Sequence, residues 1–137
     1  MKRISLVAAL LLLAGCSAGG TEITTLSQAN KAIEKAGFDC PNPSQGTMDS
    51  IAWIECETEG IDGFVTLGFA PTKELFLSSW VEPCENADPS VEETILVGET
   101  WVVVLSDEQA IFQNLDEAQK ALGGKVQTVS EFCASIK

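Results

Sequence analysis

The first 16 residues constrain this 137-residue chain most, because they decide the compartment in which the rest of it folds. Lys2 and Arg3 form a short positive segment, and an apolar run of about 10 residues, Ile4 to Leu13, follows with only Ser5 interrupting it. A helix needs roughly 20 apolar residues to span a bilayer, so this run is too short for a transmembrane segment. The pattern is typical of a cleaved signal peptide, which we assign to residues 1–15.

The end of this segment, Leu13-Ala14-Gly15-Cys16, resembles the lipobox of bacterial lipoproteins. In that family, signal peptidase II cuts before the cysteine, whose thiol carries a diacylglyceryl group. The resemblance implies that Cys16 is lipidated and that the chain is anchored to the cell membrane on its extracytoplasmic side, with the bilayer as a partner. The alternative is an ordinary secretory signal followed by a chance cysteine. If Cys16 is lipidated, residues 16–24 form the lipidated cysteine and a short tether, and residues 25–137 form a single domain.

The chain is strongly acidic, which limits its partners. Because the leader contributes Lys2 and Arg3 and no acid, removing it changes the formal net charge from −12 to −14. A field of that sign repels nucleic acid and anionic lipid surfaces, so we expect no nucleic-acid partner. The sequence has no histidine, which removes the commonest general base and the commonest metal ligand.

Four cysteines remain once Cys16 carries lipid: Cys40, Cys56, Cys84 and Cys133. An even number in an exported domain indicates two disulfides with three possible pairings, of which we favour Cys40–Cys56 and Cys84–Cys133. Zinc is the alternative, but no two of these cysteines have the close spacing of zinc ligands.

Hydrophobic periodicity predicts an α+β domain. Apolar and polar residues alternate at 52–57 and 64–69, which predicts one hairpin with its turn at 59–63. The β-branched runs at 95–98 and 101–105 predict a second hairpin covered on both faces. Helices are expected at 25–37, where Thr25 and Gln28 form a capping box and Gly37 ends the helix, and at 106–122, where Ser106 and Gln109 form another capping box. A third helix is expected from Pro71 to Pro83, with Leu77, Trp80, Val81 and Cys84 on its inner stripe. A loop is expected at 41–46, a strand at 126–129 and a terminal turn capped by Ser130. These elements predict an antiparallel sheet of about four or five strands packed by about three helices and held by two disulfides.

Three short motifs of the mature chain resemble a group of small actinobacterial lipoproteins. They are Ala36–Cys40 with its partner Cys56, Ile95–Val103, and Ala121–Val126. The group shares a helix that ends in Gly-x-x-Cys, a Leu-Val-Gly-x-x-Trp hairpin and a closing Leu-Gly-Gly. It has no assigned activity, so the resemblance supports the fold and implies no functional residue.

The residue types needed for several kinds of catalysis are missing. Without histidine a Ser-His-Asp triad is impossible, no Ser-x-x-Lys occurs, and the thiols are needed for disulfides. No glycine-rich loop opens a helix to hold phosphate. Glu55, Glu57 and Glu59 alternate along a strand and form either a calcium site, a catalytic acid pair or a solvated face. We favour the solvated face, and therefore expect no catalytic residue, no metal ligand and no cofactor.

Trp53 shares a strand face with Glu55 and Glu57, and these three residues form the candidate binding face. An exposed tryptophan among acids is suited to anchor a basic protein partner, because aromatic residues dominate interface hot spots. The alternative, which we favour, is that helices cover this face and make Trp53 part of the core. Trp80 and Trp101 are also expected in the core. The predicted function is a non-enzymatic binding or interaction module of the cell envelope, whose partner is an envelope protein or a small ligand. A small carboxylate-dependent hydrolase and an inhibitor of an envelope enzyme are the alternatives.

Overall fold

A six-stranded antiparallel sheet forms the centre of the molecule. The structure, a computed structural model, describes residues 20–40, 42–48, 50–57, 64–88, 90, 93–105 and 111–136, without the side chains of 111–114. The strands are β1 (Ser44–Met48), β2 (Ile51–Glu57), β3 (Phe64–Phe69), β4 (Thr94–Val97), β5 (Trp101–Leu105) and β6 (Lys125–Thr128). Their order across the sheet is β1-β2-β3-β5-β4-β6, and every neighbouring pair is antiparallel.

Helices cover both faces of this sheet. The helical segments are α1 (Leu26–Lys35), α2 (Lys73–Ser79), α3 (Val81–Glu85), α4 (Ile111–Leu122) and α5 (Val129–Ser135). Buried side chains of α1 and α4 pack on one face in a larger core, and Phe76 of α2 and Phe132 of α5 pack on the other in a smaller core. The predicted α+β class with an antiparallel sheet is confirmed. The sheet has six strands instead of four or five, and the helical segments outnumber the three that were predicted.

The additional strand is β1, which includes residues predicted to be loop. Ser44–Met48 pairs with β2, so that Gln45 lies opposite Ile54 and Thr47 opposite Ala52. The prediction of a loop at 41–46 is therefore wrong for its last three residues. Most side chains of β1 are exposed, and an edge strand that buries little of itself has no apolar alternation to reveal it.

Residues 20–24, which the sequence assigned to the tether, lie against the domain. Ile23 is 0% exposed in the larger core. The Thr21 N–H donates to the Leu122 carbonyl at 2.6 Å, and the Trp101 indole N–H donates to the Thr21 carbonyl at 2.8 Å. The Thr100 hydroxyl donates to the Ile23 carbonyl at 2.7 Å. A single apolar residue among small polar ones has no periodicity, so the sequence did not indicate this contact.

Helix α1 begins and ends as its sequence predicts. The Thr25 side chain accepts from the Gln28 N–H while the Gln28 side chain accepts from the Thr25 N–H, which confirms the capping box. Gly37 follows the helix with φ of 92°, and the Phe38 N–H donates to the Ile33 carbonyl at 3.2 Å. This is the hydrogen bond of a Schellman motif, in which glycine adopts the left-handed conformation at low cost.

The second predicted helix is divided into α2 and α3, and Pro83 does not end it. Thr72 caps α2, whose Phe76 is fully buried, and Pro83 lies inside α3. A proline is tolerated in the first turn because the N–H groups there have no intrahelical acceptor. Val81, expected on the inner stripe, is 53% exposed.

The cap of the last helix is Thr128 instead of Ser130. The Thr128 side chain accepts from the Glu131 N–H at 3.1 Å, and the Glu131 carboxylate accepts from the Thr128 N–H at 3.0 Å. The helix therefore follows β6 directly and places Phe132 and Cys133 in buried positions. The expected strand at 126–129 is shifted one residue towards the amino terminus.

Both predicted disulfides are present. Cys40, after α1, is bonded to Cys56 in β2 with a Cα–Cα distance of 5.6 Å, and Cys84 of α3 to Cys133 of α5 with 5.4 Å. The first pins α1 to the sheet near its β1 edge. The second joins two helical segments on the opposite face.

Several predicted features lie outside the described residues. They are the leader with Cys16, Glu59 with the turn at 59–63, and the capping box of Ser106 and Gln109. Among the helices within the described ranges, none is both long enough and apolar enough to cross a bilayer.

Candidate functional site

Strand β2 places the three candidate binding residues on the face of the smaller core. Trp53, Glu55 and Glu57 alternate with Ala52, Ile54 and Cys56, and Ile54 and Cys56 belong to the larger core on the other face. Trp53 and Glu55 are half-buried, and Glu57 is exposed. Trp53 is therefore neither a fully exposed anchor nor a closed core residue.

A groove of about 550 Å³ lies between the β1–β2 edge and the α2–α3 segment. We call it the Trp53 groove, and it is lined by Met48, Ile51, Trp53, Ser79, Trp80, Glu82, Pro83, Asn86 and Val102. Its volume falls in the range of known ligand sites, roughly 300–1,000 Å³. The groove exists because helices cover this face of the sheet without closing over the edge beside Trp53.

The indole of Trp53 is held by the neighbouring edge strand. Gly46 is directly opposite Trp53 in the β1–β2 register, and a Cβ atom on Gly46 would lie 2.6 Å from Trp53 Cζ2. The ring therefore lies over Gly46 in space that any larger residue would occupy. This contact fixes the position of the indole without burying it completely.

The second aromatic wall of the Trp53 groove is Trp80, which the sequence assigned to the core. Its ring lies 5.0 Å from the Phe132 ring and 6.4 Å from the Phe76 ring, both edge-on, and it is half-buried. Trp80 therefore belongs to both the smaller core and the groove. Trp101, also expected in the core, is fully buried.

Glu55 and Glu57 line a different depression from Trp53. It has a volume of about 230 Å³ and is also lined by Asn42, Ser44, Cys56 and Phe64. The Thr66 hydroxyl donates to Glu55 Oε2 at 3.2 Å. Among the described residues, no group of three or more acidic or cysteine side chains is arranged to hold a metal ion. The structure thus brings the three candidate residues to one face and divides them between two adjoining hollows.

The outer side of β1 is an open sheet edge beside the Trp53 groove. Within the described residues no strand pairs with that side. The strand, Ser-Gln-Gly-Thr-Met, contains neither a charged residue nor a proline, the devices that usually protect an edge from pairing with another chain. Met48, at its end, is 71% exposed and lines the groove. Such an edge offers main-chain hydrogen bonds to an extended segment, with a groove for its side chains.

Acidic charge accompanies this surface. Among the described residues that line the Trp53 groove, Glu82 is charged and none is cationic. Sequence reasoning identified Trp53 but missed Met48 and Trp80, because their role depends on a strand and a helix boundary that the pattern did not reveal.

Comparison of the chain with protein-family models, with curated proteins and with solved structures found no match. The function is therefore inferred from the groove and its edge strand.

Proposed function

We propose that this chain is a lipid-anchored binding module on the extracytoplasmic side of the cell membrane, and that its Trp53 groove docks an extended, basic segment of an envelope protein. The observation that carries this proposal is an open, largely apolar groove directly beside a strand edge that lacks protection. Two tryptophans face it, and tryptophan is the residue type most enriched in interface hot spots.

The anchor is supported by the Leu-Ala-Gly-Cys sequence and by two disulfides, which persist in oxidising compartments outside the cytoplasm. Because the described fold begins at Gly20, four residues after Cys16, the chain between them spans at most about 14 Å. The domain would therefore sit close to the bilayer surface. A Cys16→Ser variant is expected to lose labelling by radioactive palmitate and to keep its leader; labelling equal to that of the wild type would contradict the anchor.

Strand addition to β1 explains why the groove and the edge occur together. A segment paired with the outer side of β1 directs every second side chain towards the face of Trp53. An apolar side chain there can lie between Trp53 and Trp80, with the Met48 side chain beside it. The main-chain bonds supply affinity for extended chains in general, and the groove supplies specificity for an apolar residue.

The charge of the chain selects a basic partner. The formal net charge of −14 that remains after removal of the leader steers cations towards the domain, and Glu82 lies at the groove itself. Glu55 and Glu57 lie further along β2 on the same face. Lysines or arginines that flank the apolar residue of the segment would meet these carboxylates.

The proposal is tested with a fluorescent decapeptide in which lysine alternates with valine and one central position is phenylalanine. Its binding to the mature domain is followed by anisotropy at physiological ionic strength. Trp53→Leu keeps an apolar side chain but removes the indole, and should weaken binding about 30-fold, the size of a 2 kcal/mol hot spot. Glu82→Gln should weaken it about threefold, as expected for an exposed ion pair.

The matched control is Glu117→Gln, which removes an exposed acid from α4 on the opposite face of the sheet. It should leave the affinity unchanged, and a peptide with glutamate in place of lysine should not bind. Equal losses in the Glu82→Gln and Glu117→Gln variants would show that the peptide responds to net charge alone and would contradict docking in the groove.

A carboxylate-dependent hydrolase is the competing proposal, and the hollow that holds both Glu55 and Glu57 is the observation that favours it. Its volume of about 230 Å³ is smaller than that of most ligand sites, and Glu55 already accepts a hydrogen bond from Thr66. Hydrolysis of nitrophenyl glycosides by the wild type that is abolished in Glu55→Gln would support the enzyme. Unchanged background rates in both would support the binding module.

A further inference from the structure

A second groove, of about 670 Å³, lies at the β4–β6 side of the sheet, away from the Trp53 groove. Its apolar wall includes Phe76, Leu77, Val97, Phe132 and Ile136, contributed by α2, β4 and the region of α5. We call it the lysine groove, because Lys73 and Lys125 also line it. Among the described residues it shares no lining residue with the Trp53 groove, so the two grooves can be altered by separate substitutions.

The lysine groove is locally cationic in an otherwise acidic protein. Lys73 and Lys125 are two of only eight basic residues in the chain, and among the described residues that line the groove Glu99 is the single acid. In the part of the chain that the structure describes, neither lysine forms an ion pair. Two unpaired ammonium groups beside an apolar wall favour an anion attached to an apolar body.

The polar group inside the lysine groove is the amide of Gln127. Its side chain is only 9% exposed, and Gln127 pairs with Ile95 on the face of the smaller core. No described residue forms a hydrogen bond with this amide. A buried amide without a partner destabilises the fold, so a group that bonds it from within the groove is expected.

We infer that the lysine groove is a binding site for a small molecule with an apolar body and one anionic group. The apolar body packs against Phe76 and Phe132, the anion faces Lys73 and Lys125, and the Gln127 amide donates to an oxygen of the ligand. This site is distinct from the docking surface for a basic segment, since the two grooves select opposite charges.

The test uses two probes with the same aromatic body. The first, 8-anilinonaphthalene-1-sulfonate, carries an anion, and the second, N-phenyl-1-naphthylamine, is neutral; both report binding by fluorescence. The sulfonate should bind the mature domain at one site despite the net negative charge. The Lys73→Met, Lys125→Met double variant should weaken its affinity about fivefold, as expected from two exposed charges, while the affinity for the neutral probe stays unchanged or rises.

Two further variants are expected to change the affinity for the sulfonate in opposite directions. Glu99→Gln removes the acid of the groove and should tighten binding of the sulfonate, whereas Gln127→Leu removes the amide donor and should weaken it without weakening binding of the neutral probe. Because Lys73, Glu99 and Lys125 are exposed, their variants are expected to fold, and the neutral probe verifies that the apolar wall is intact.

Lys31→Met, Lys35→Met is the matched control, since it removes two exposed lysines from α1. Neither this control nor Trp53→Leu should change the affinity for the sulfonate. No binding of the sulfonate, or equal losses for the control and the Lys73/Lys125 variant, would overturn the inference. Neither of these two outcomes would contradict the docking proposal, because that proposal is tested with a cationic peptide at the other groove.

Discussion

Replacing Ile23 by alanine is expected to destabilise the domain strongly, although this residue lies in a segment that resembles a linker. The side chain is 0% exposed and packs in the larger core. The change removes three buried carbon atoms, about 2.4 kcal/mol at 0.8 kcal/mol for each, and the residual cavity adds to this. We therefore expect a loss of about 3 kcal/mol in the free energy of unfolding. With a urea m value of about 1.5 kcal/mol/M, the midpoint falls by about 2 M.

Leu26→Ala is the matched control, because Leu26 is an aliphatic residue of the same size three positions away and is 40% exposed. It should cost less than about 1 kcal/mol. Urea unfolding of the oxidised mature chain, followed by far-UV circular dichroism, measures both variants. If Ile23→Ala lowers the midpoint no more than Leu26→Ala does, residues 20–24 are not part of the fold and the reasoning is refuted.

Three other changes test the packing and the charges. Replacing both cysteines of a disulfide by serine should lower the free energy of unfolding by about 3 kcal/mol for Cys40–Cys56 and by about 4 kcal/mol for Cys84–Cys133, since the closed loops span 16 and 49 residues. Urea unfolding measures both losses, and the reverse order would contradict the loop-entropy explanation. Gly37→Ala should cost about 1 kcal/mol through its φ of 92° alone, because nothing beyond the adjoining residues of the chain lies within 4 Å of the added Cβ, and an unchanged urea midpoint would show that the turn relaxes. The Ser90 hydroxyl and N–H donate to the exposed Asp88 carboxylate and lower its pKa, so Ser90→Ala should raise the pKa of Asp88 in a carbon NMR titration. Because the folded pKa is the lower one, this interaction stabilises the fold above the unfolded pKa and is lost as pH falls through the folded pKa. An unshifted titration of the variant would exclude the hydrogen bond from the Ser90 hydroxyl.

The sequence predicted those elements whose signals are local. The capping box of Thr25, the glycine after α1 and the β-branched run of β5 each depend on residues close together, and each is confirmed. The disulfide pairing was one of three possibilities. Export indicated that the four cysteines form two disulfides but did not select among these pairings, and the pairing that we favoured is confirmed.

The features that the sequence did not predict depend on contacts between distant segments. Strand β1 has almost no buried side chain and is ordered by pairing with β2. Ile23 lies in a segment that is held by two distant donors. The Thr100 hydroxyl donates to the Ile23 carbonyl, 77 positions away, and the Trp101 indole N–H donates to the Thr21 carbonyl, 80 positions away. The Trp53 groove needs both β1 and the break between α2 and α3, so only Trp53 itself was recognisable from alternation along β2.

Delivery of the folded domain to the outer side of the membrane through Cys16 is the premise on which the proposed partners depend. The direct measurement is the intact mass of the native protein extracted from membranes with detergent. The expected mass is that of residues 16–137 with a diacylglyceryl group on Cys16. The mass of residues 1–137 without modification would contradict the lipid anchor. So would the mass of a chain that is cleaved elsewhere and either keeps an unmodified Cys16 or lacks Cys16.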